Sequence, residues 1–108
     1  MEHLTYIFKG GTRTLPRQSD VVGVVGSGNL EVLIESAPLG GDCSIAIATA
    51  AVGFGAIWQA VMDDFHARWQ LMDTRIAIND MGATPAVVSL RMDQAVETML
   101  EDFNGTAP

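Results

Sequence analysis

The first half of the chain shows the hydrophobic patterning of β-strands. Leu4–Phe8 and Val21–Val25 are short runs rich in aromatic and β-branched residues, which favour extended backbone. Leu30–Ser36 and Ser44–Thr49 alternate, so that apolar side chains fall on one face of each segment. Polar segments containing glycine or proline separate these runs, so the pattern predicts four strands joined by turns.

Further along the chain, the hydrophobic period lengthens to that of a helix. An apolar stripe predicts a first helix over Ile57–Leu71. The stripe consists of Ile57, Trp58, Val61, Met62, Phe65 and Trp69. Thr74–Asn79 returns to strand alternation, and a second helix is predicted over about Pro85–Asp102, with Thr84 as its N-cap. The buried side predicted for the second helix consists of Val88, Met92, Ala95, Val96, Met99 and Phe103.

The order of these elements, β-β-β-β-α-β-α, predicts an α+β fold. Because four strands come before the first helix, most of the sheet should be antiparallel. We expect a two-layer sandwich in which a mostly antiparallel sheet of about five strands carries both helices on one face. With 108 residues, 48% of them hydrophobic, the chain has the size of a single domain over residues 1–108 with one core.

Charge restricts the classes of partner that the chain is expected to bind. Thirteen acidic residues against six basic ones give a net charge of −7. Nucleic acid and anionic membrane both select positive charge, so neither is expected as a partner. The sequence also shows no unbroken apolar run of membrane-spanning length and no secretory signal at its start, so we expect a cytoplasmic protein.

Residues that commonly build metal and redox sites are scarce. Cys43 is the only cysteine, which excludes an internal disulfide and a cysteine-based zinc site. His3 and His66 are far apart, and no third ligand is apparent where His66 follows Asp63 and Asp64. No metal site is therefore expected.

Ser27 is the only reactive group in the break Gly26-Ser27-Gly28-Asn29, and the glycines beside it leave its hydroxyl accessible. A dinucleotide-binding loop is disfavoured, because Glu31 stands in place of the third glycine and a strand follows instead of a helix. A hydrolase nucleophile is disfavoured, because the glycines of a nucleophile elbow stand two residues from the serine. Two readings remain: a covalently modified serine, or a plain hairpin turn.

Several segments of the chain together resemble one known family. They are Met1–Thr5, Val22–Leu33, Val52–Trp58, Ile78–Pro85 and Leu90-Arg91. In their order and spacing they resemble the acyl carrier (delta) subunit of bacterial malonate decarboxylase, over almost the whole chain. This combination is more specific than Gly-Ser-Gly taken alone, and it favours the modified serine.

The resemblance implies a covalent prosthetic group. In that family a serine of the Gly-Ser-Gly turn carries triphosphoribosyl-dephospho-coenzyme A through a phosphodiester, and Ser27 is the matching position, with Gly26 and Gly28 shaping the turn. It implies a non-catalytic carrier that holds acetyl and malonyl groups as thioesters and shuttles them between subunits. The implied partners are the transferase (alpha) and decarboxylase (beta and gamma) subunits, a prosthetic-group transferase and a malonyl transferase.

Other readings of the same residues stay open. The alternative function is a non-catalytic assembly subunit with an unmodified turn. Asn79–Pro85 has the composition of a turn that starts a helix, but Asp80 in this segment is also a candidate for helping the attachment enzyme recognise the carrier. Lys9, Arg13 and Arg17 either hold the phosphates of the arm or are simply solvated.

Overall fold

A computed structural model describes residues 1–15, 22–27 and 29–105, with residues 22–27 and 101–105 described by their backbone alone. Its elements are β1 (Glu2–Phe8), β2 (Arg13–Thr14), β3 (Val22–Ser27), β4 (Leu30–Ser36), β5 (Cys43–Thr49), α1 (Gly55–Trp69), β6 (Leu71–Met72), β7 (Thr74–Asp80) and α2 (Pro85–Gly105). The expected α+β class with two helices is confirmed. The expectations for Val21, Gly28 and the burial of Phe103 lie outside the described residues.

The main sheet has five strands and is mostly antiparallel, as the sequence predicted, but one pairing is parallel, which makes the sheet mixed. Its strand order is β1-β5-β7-β4-β3, and the pairings β1–β5, β7–β4 and β4–β3 are antiparallel. The central pairing, β5 with β7, is parallel. This follows from the connection through α1, because a helix that runs back along the sheet returns the chain to the same edge.

A second, very short sheet was not predicted. Arg13 pairs with Leu71 and Thr14 with Met72 in a parallel arrangement of β2 and β6. Two-residue strands carry no hydrophobic alternation, so the sequence pattern showed only a polar loop and the end of a helix.

The core lies between one face of the main sheet and the two helices. The alternation predicted for β4 is confirmed, since Leu30, Val32 and Ile34 are all buried. Central strands and helices add to the same cluster Ile45, Ile47, Ile76, Ile78, Trp58, Met62, Phe65, Val88, Met92, Ala95, Val96 and Met99. Each large apolar side chain that is fully buried contributes about 1.5–3 kcal/mol by leaving water. Ile57 is an exception to the predicted stripe, because it is exposed in the first turn of α1.

The helix ends follow recognisable capping chemistry. Val87 N–H donates to Thr84 Oγ1 at 3.4 Å and Val88 N–H donates to the Thr84 carbonyl at 3.0 Å, which agrees with Thr84 as the N-cap of α2. At the end of α1, Gln70 takes a left-handed conformation with φ 52°. In the described part of the chain, neither helix combines the length and the apolar character needed to span a membrane.

Candidate functional site

Ser27 lies at one end of the main sheet. The register places Ser27, Leu30, Asp80, Thr49 and Glu2 in one row across the five strands. We call the end of the sheet at this row the serine end. At the other end of the strands, the matching row consists of Phe8, Cys43, Thr74 and Ser36, and we call this end of the sheet the opposite end.

The hairpin is tighter than the sequence predicted. The ladder between β3 and β4 continues through Gly26 paired with Glu31 and Ser27 paired with Leu30. The strand was expected to end at Val25 and the turn to begin at Gly26, but Ser27 is the last residue of the strand. Its backbone is therefore fixed by pairing. The predicted accessibility of its hydroxyl concerns a side chain outside the described part of the structure.

A second connection is attached to this hairpin. Met81, the first residue after β7, donates its backbone N–H to the carbonyl of Asn29 at 2.8 Å. Asp80 stands two strands away from Ser27 in the same row, which corresponds to about 10 Å between their backbones. The connection between β7 and α2 thus lies beside the serine-bearing hairpin.

Asp80 holds that connection in shape. The sequence suggested a turn residue, but Asp80 is the last residue of β7 and only 2% exposed. Its Oδ2 accepts the hydroxyl of Thr49 at 2.8 Å, and its Oδ1 accepts the backbone N–H groups of Gly82 at 3.2 Å and Ala83 at 2.7 Å. A buried carboxylate needs such donors. Asp80 therefore acts inside the fold, through the shape of the loop that follows it.

The connection between β5 and α1 forms the other wall of the serine end. Gly53 donates its backbone N–H to Glu2 Oε1 at 3.3 Å, which links this connection to the start of β1. Phe54 occupies the N-cap position of α1 and makes no side-chain capping hydrogen bond. Val52, Phe54, Ile57 and Met81 are exposed here. Sequence patterning missed this group, although Val52–Trp58 was one of the segments that carried the family resemblance.

Basic side chains concentrate away from Ser27. Lys9 pairs with Asp42 at 3.0 Å at the opposite end, and the guanidinium carbon of Arg13 lies 5.7 Å from the centroid of the Trp69 ring. Both lie towards the opposite end of the sheet from Ser27, and Arg17 lies outside the described residues. Contact between this basic loop and the arm stays a prediction.

The remaining ionisable residues form no second reactive centre in the described part of the chain, where no three His, Cys, Asp or Glu residues are grouped to hold a metal ion. Cys43 is buried, and this burial raises the pKa of its thiol to about 12. The ring of His66 stacks on Phe8 with centroids 4.6 Å apart. These residues belong to the core and the opposite end.

The fold and the serine end define a class of protein: a small α+β domain that presents a serine where a paired β-hairpin meets the sheet edge. The sequence profile of the family described as malonate decarboxylase delta subunit (MdcD) matches residues 17–99. The chain belongs to this family, which confirms the resemblance seen in the sequence.

Individual relatives agree over nearly their full length. The malonate decarboxylase acyl carrier protein of Stenotrophomonas maltophilia (strain K279a) is 59% identical over 93% of this chain and 95% of its own. That of Xanthomonas campestris pv. campestris (strain B100) is 61% identical over 92% and 95%. Among solved structures, a chain of a Pseudomonas malonate decarboxylase hetero-tetramer in complex with malonate is 37% identical and superposes with a TM-score of 0.74, covering 92% of this chain and 99% of that one.

Proposed function

We propose that this chain is the acyl carrier subunit of a malonate decarboxylase and that Ser27 carries its prosthetic group. The observation that carries the proposal is the position of Ser27 as the last paired residue of β3, at the serine end, in a chain of the acyl carrier family. Strand pairing fixes the backbone of the serine, while the two-residue link that follows leaves room for an attaching enzyme.

We propose that the group is attached to Ser27 by a phosphodiester and that its donor is triphosphoribosyl-dephospho-coenzyme A. Ser27 would hold the group through its hydroxyl oxygen, which would replace the pyrophosphate of the donor and give up its proton to water, so that a single phosphate joins the serine to the ribose. When bound, the group supplies a thiol on which acetyl and malonyl groups are carried. The described residues of the serine end fit a projecting group, because they offer neither a Lys nor an Arg side chain that would hold its phosphates against the fold.

In this proposal the protein presents the prosthetic group to its partners and does not itself catalyse. Its fold holds the attachment point on a paired strand, and the group supplies the reach from that point into the active site of each partner on which the carrier docks. Tethering keeps the acyl group at high local concentration for the transferase (alpha) and decarboxylase (beta and gamma) subunits, which are its proposed partners. A prosthetic-group transferase and a malonyl transferase would load it. The single buried thiol suits a reducing compartment, and we place the carrier in the cytoplasm.

Asp80 has a supporting role in this proposal. Its carboxylate shapes the loop whose Met81 N–H binds Asn29, two residues beyond Ser27. The attachment enzyme would meet this loop together with the hairpin. An Asp80→Asn variant should load the prosthetic group more slowly, whereas Asp73→Asn, the matching aspartate before β7, should load at the parent rate. Normal loading of folded Asp80→Asn protein would remove this role.

The experiment that tests the carrier function is intact-mass measurement with peptide mapping. The chain is purified from cells that also express the other decarboxylase genes, alongside Ser27→Ala and the matched variant Ser36→Ala at the opposite end of the hairpin. We expect an added mass equal to the arm on the Ser27 peptide, retained in Ser36→Ala and lost in Ser27→Ala together with malonate-dependent release of carbon dioxide.

Three outcomes would contradict the proposal. An unmodified chain in an active decarboxylase would favour the alternative of an assembly subunit, and so would full activity of Ser27→Ala. Malonate turnover by the purified chain alone would make it an enzyme in its own right.

A further inference from the structure

Exposed apolar side chains gather at the serine end. Val52 is 68% exposed, Phe54 47%, Ile57 43% and Met81 51%. The first three belong to the connection between β5 and α1 and to the first turn of α1, and Met81 begins the connection between β7 and α2. Because β5 and β7 are parallel neighbours, these two connections leave the same edge side by side. We call these four side chains the apolar patch.

Direct contacts hold the two connections together. Ala50, which follows β5, donates its N–H to the carbonyl of Asp80 at 2.8 Å, and Met81 in turn donates to Asn29. Backbone hydrogen bonds therefore link the two connections that carry the patch to the hairpin that contains Ser27. Met1, 63% exposed, precedes Glu2 at the same end of the sheet. Ile7 and Leu90 are also exposed, but they lie on β1 near the opposite end and on α2, respectively. Single exposed residues of that kind are ordinary on protein surfaces, whereas a group at one edge indicates recognition.

The local structure that carries the patch is not the most stable one available to the fold. Phe54 stands at a helix N-cap, where Ser, Thr, Asp or Asn would bind a free backbone N–H of α1. Gly53 and Gly82 hold φ values of 90° and 129°, and a Cβ built at either would meet nothing within 4 Å. The two connections thus stand in open space on backbone that other residues rarely adopt. A polar residue at position 54 would serve the fold better, so the phenylalanine points to another role.

The charge around the patch is negative. Glu2 accepts a hydrogen bond from Gly53 beside the patch, and exposed Glu31 pairs with Gly26 in the hairpin. The N-terminal ammonium of Met1 and the side chain of His3 also lie at this end, but Glu2, Glu31 and the buried Asp80 supply three carboxylates. The described Lys and Arg side chains lie elsewhere: Lys9, Arg13, Arg68 and Arg75 towards the opposite end, and Arg91 in the second turn of α2, where it reaches on to Gln94. A partner that covers the patch would gain from positive charge at its rim.

We propose that the apolar patch is a docking surface for a subunit of the malonate decarboxylase assembly, which receives it in an apolar recess rimmed by Lys and Arg side chains. The inference rests on the proposed function, because a group anchored at Ser27 enters the active site of a partner only when the serine end faces that partner. A small patch with one aromatic anchor suits docking that must be released at every turn of the cycle.

The test uses the loaded carrier and the rest of the decarboxylase. Phe54→Ser, Met81→Gln and the double variant are compared with Leu90→Gln, which removes an equally exposed apolar side chain from α2. Each protein is first checked by mass for the arm on Ser27 and by melting for its fold. It is then titrated into a decarboxylase assembly that lacks the carrier, and the KM for the carrier and kcat are read from carbon dioxide release.

The double variant is expected to raise the KM for the carrier about tenfold or more, with kcat within about twofold of the parent. Leu90→Gln should leave both within about twofold. Phe54→Ser should melt at the parent temperature or above it, because serine caps α1. Added salt should raise the KM of the parent protein, because it screens the charges around the patch.

Four outcomes would overturn the proposal. They are an unchanged KM in the double variant; an equal loss in Leu90→Gln; a dimer of the parent that the double variant abolishes while KM stays constant; and a defect confined to loading, which would assign the patch to the attachment enzyme. Failure of the proposed function itself is distinguishable, since the parent protein would then lack the arm in the first mass measurement.

Discussion

Strand β7 has an aspartate at each end, and the two perform similar work in different surroundings. Before the strand, Asp73 Oδ1 accepts the backbone N–H groups of Leu39 at 3.1 Å and Gly41 at 2.9 Å. After it, Asp80 accepts Gly82, Ala83 and the hydroxyl of Thr49. Both carboxylates shape a connection, but the connection at the opposite end is bound to the segment after β1 through Gly11 and Gly41, whereas that at the serine end is bound to the hairpin through Met81 and Asn29.

One closely packed glycine lies at the opposite end. Gly11 lies so near Leu71 that there is no room for a Cβ, its N–H donates to Gly41, and Lys9 pairs with Asp42 across the same edge. A built Cβ meets nothing within 4 Å at Gly53, Gly55 and Gly82 of the serine end, and the same holds at Gly10, Gly40 and Gly41 of the opposite end. Among the glycines whose surroundings are described, the close approach is therefore confined to Gly11, and Gly55 is its open counterpart at the serine end. This contrast makes opposite predictions for the same substitution at the two ends.

The largest effect is expected from glycine-to-alanine changes. In Gly11→Ala the new methyl group overlaps the backbone carbonyl of Leu71, which cannot move without breaking the pairing of β2 with β6. We expect the free energy of unfolding to fall by about 3 kcal/mol. Gly55→Ala should raise it by a few tenths to about 1 kcal/mol, because alanine favours the first turn of α1 and meets no neighbour. Urea denaturation of both variants gives the comparison.

Equal destabilisation by both alanines would show that Gly55 is packed as closely as Gly11. The distinction between the two ends, and with it the argument that the connections at the serine end are free to dock, would then be lost.

The prediction from sequence succeeded where a pattern is local. β4 was predicted with its observed bounds, because Leu30, Val32 and Ile34 alternate with the residues of the other face. The start of α2 followed from Thr84 and Pro85. Local signals of this kind, such as alternation and capping residues, lie within a few residues of the element that they specify.

The errors come from contacts between distant residues. No local pattern shows that β5 and β7 are parallel neighbours, because that pairing depends on the path through α1. Asp80 looked like a turn residue, since its burial depends on Thr49, 31 positions away. At the site, patterning gave only a serine between glycines. The family resemblance singled out Ser27, and the structure was needed to place Met81 beside its hairpin.

The second largest effect on stability is expected from the two aspartates beside β7, whose contributions to the free energy of unfolding should differ. Asp80→Ala should lower the free energy of unfolding by about 2 kcal/mol, because it removes charge-assisted hydrogen bonds inside the fold. Asp73→Ala should cost about 1 kcal/mol, since Asp73 is only half-buried. Hydrogen exchange should accelerate at Met81 and Ala83 in the first variant, and at Leu39 and Gly41 in the second. If hydrogen exchange rose equally at both ends of the sheet in either variant, the two aspartates would not stabilise their connections independently.

A smaller effect is expected from Cys43, which begins β5 at the opposite end. Burial raises the pKa of its thiol from 9.0 to about 12, so the folded state keeps its proton where the unfolded state loses it. The free energy of unfolding should therefore be unaffected below pH 9 and fall as the pH rises above it, by about 1 kcal/mol at pH 10. Unfolding of the parent and Cys43→Ala at pH 7 and pH 10 isolates this contribution.

The same thiol reports on the opening of its end of the sheet. Alkylation of Cys43 should be slow in the native parent protein, faster in Gly11→Ala and unchanged or slower in Gly55→Ala. For the pH prediction, the contradicting outcome concerns the free energy of unfolding. If it changed between pH 7 and pH 10 by the same amount in Cys43→Ala as in the parent protein, the pKa of the thiol would not differ between the folded and unfolded states.

The smallest effect comes from two cross-strand pairs that join β4 to β7. Arg75 donates to Glu35 Oε1 at 3.1 Å, and Asn79, four residues nearer the serine end, donates to Glu31 Oε1 at 3.2 Å. All four side chains are at least partly exposed, so either alanine substitution, Arg75→Ala or Asn79→Ala, should cost no more than about 0.5 kcal/mol. Only the pair with Arg75 joins opposite charges, so added salt should reduce its contribution and leave that of Asn79 unchanged. Equal salt dependence of the two variants in urea denaturation would mean that long-range charge, and not the local pair, determines stability on this face. The acidic character of the serine end would then lower the stability of the whole sheet, besides strengthening the attraction between the carrier and a basic partner.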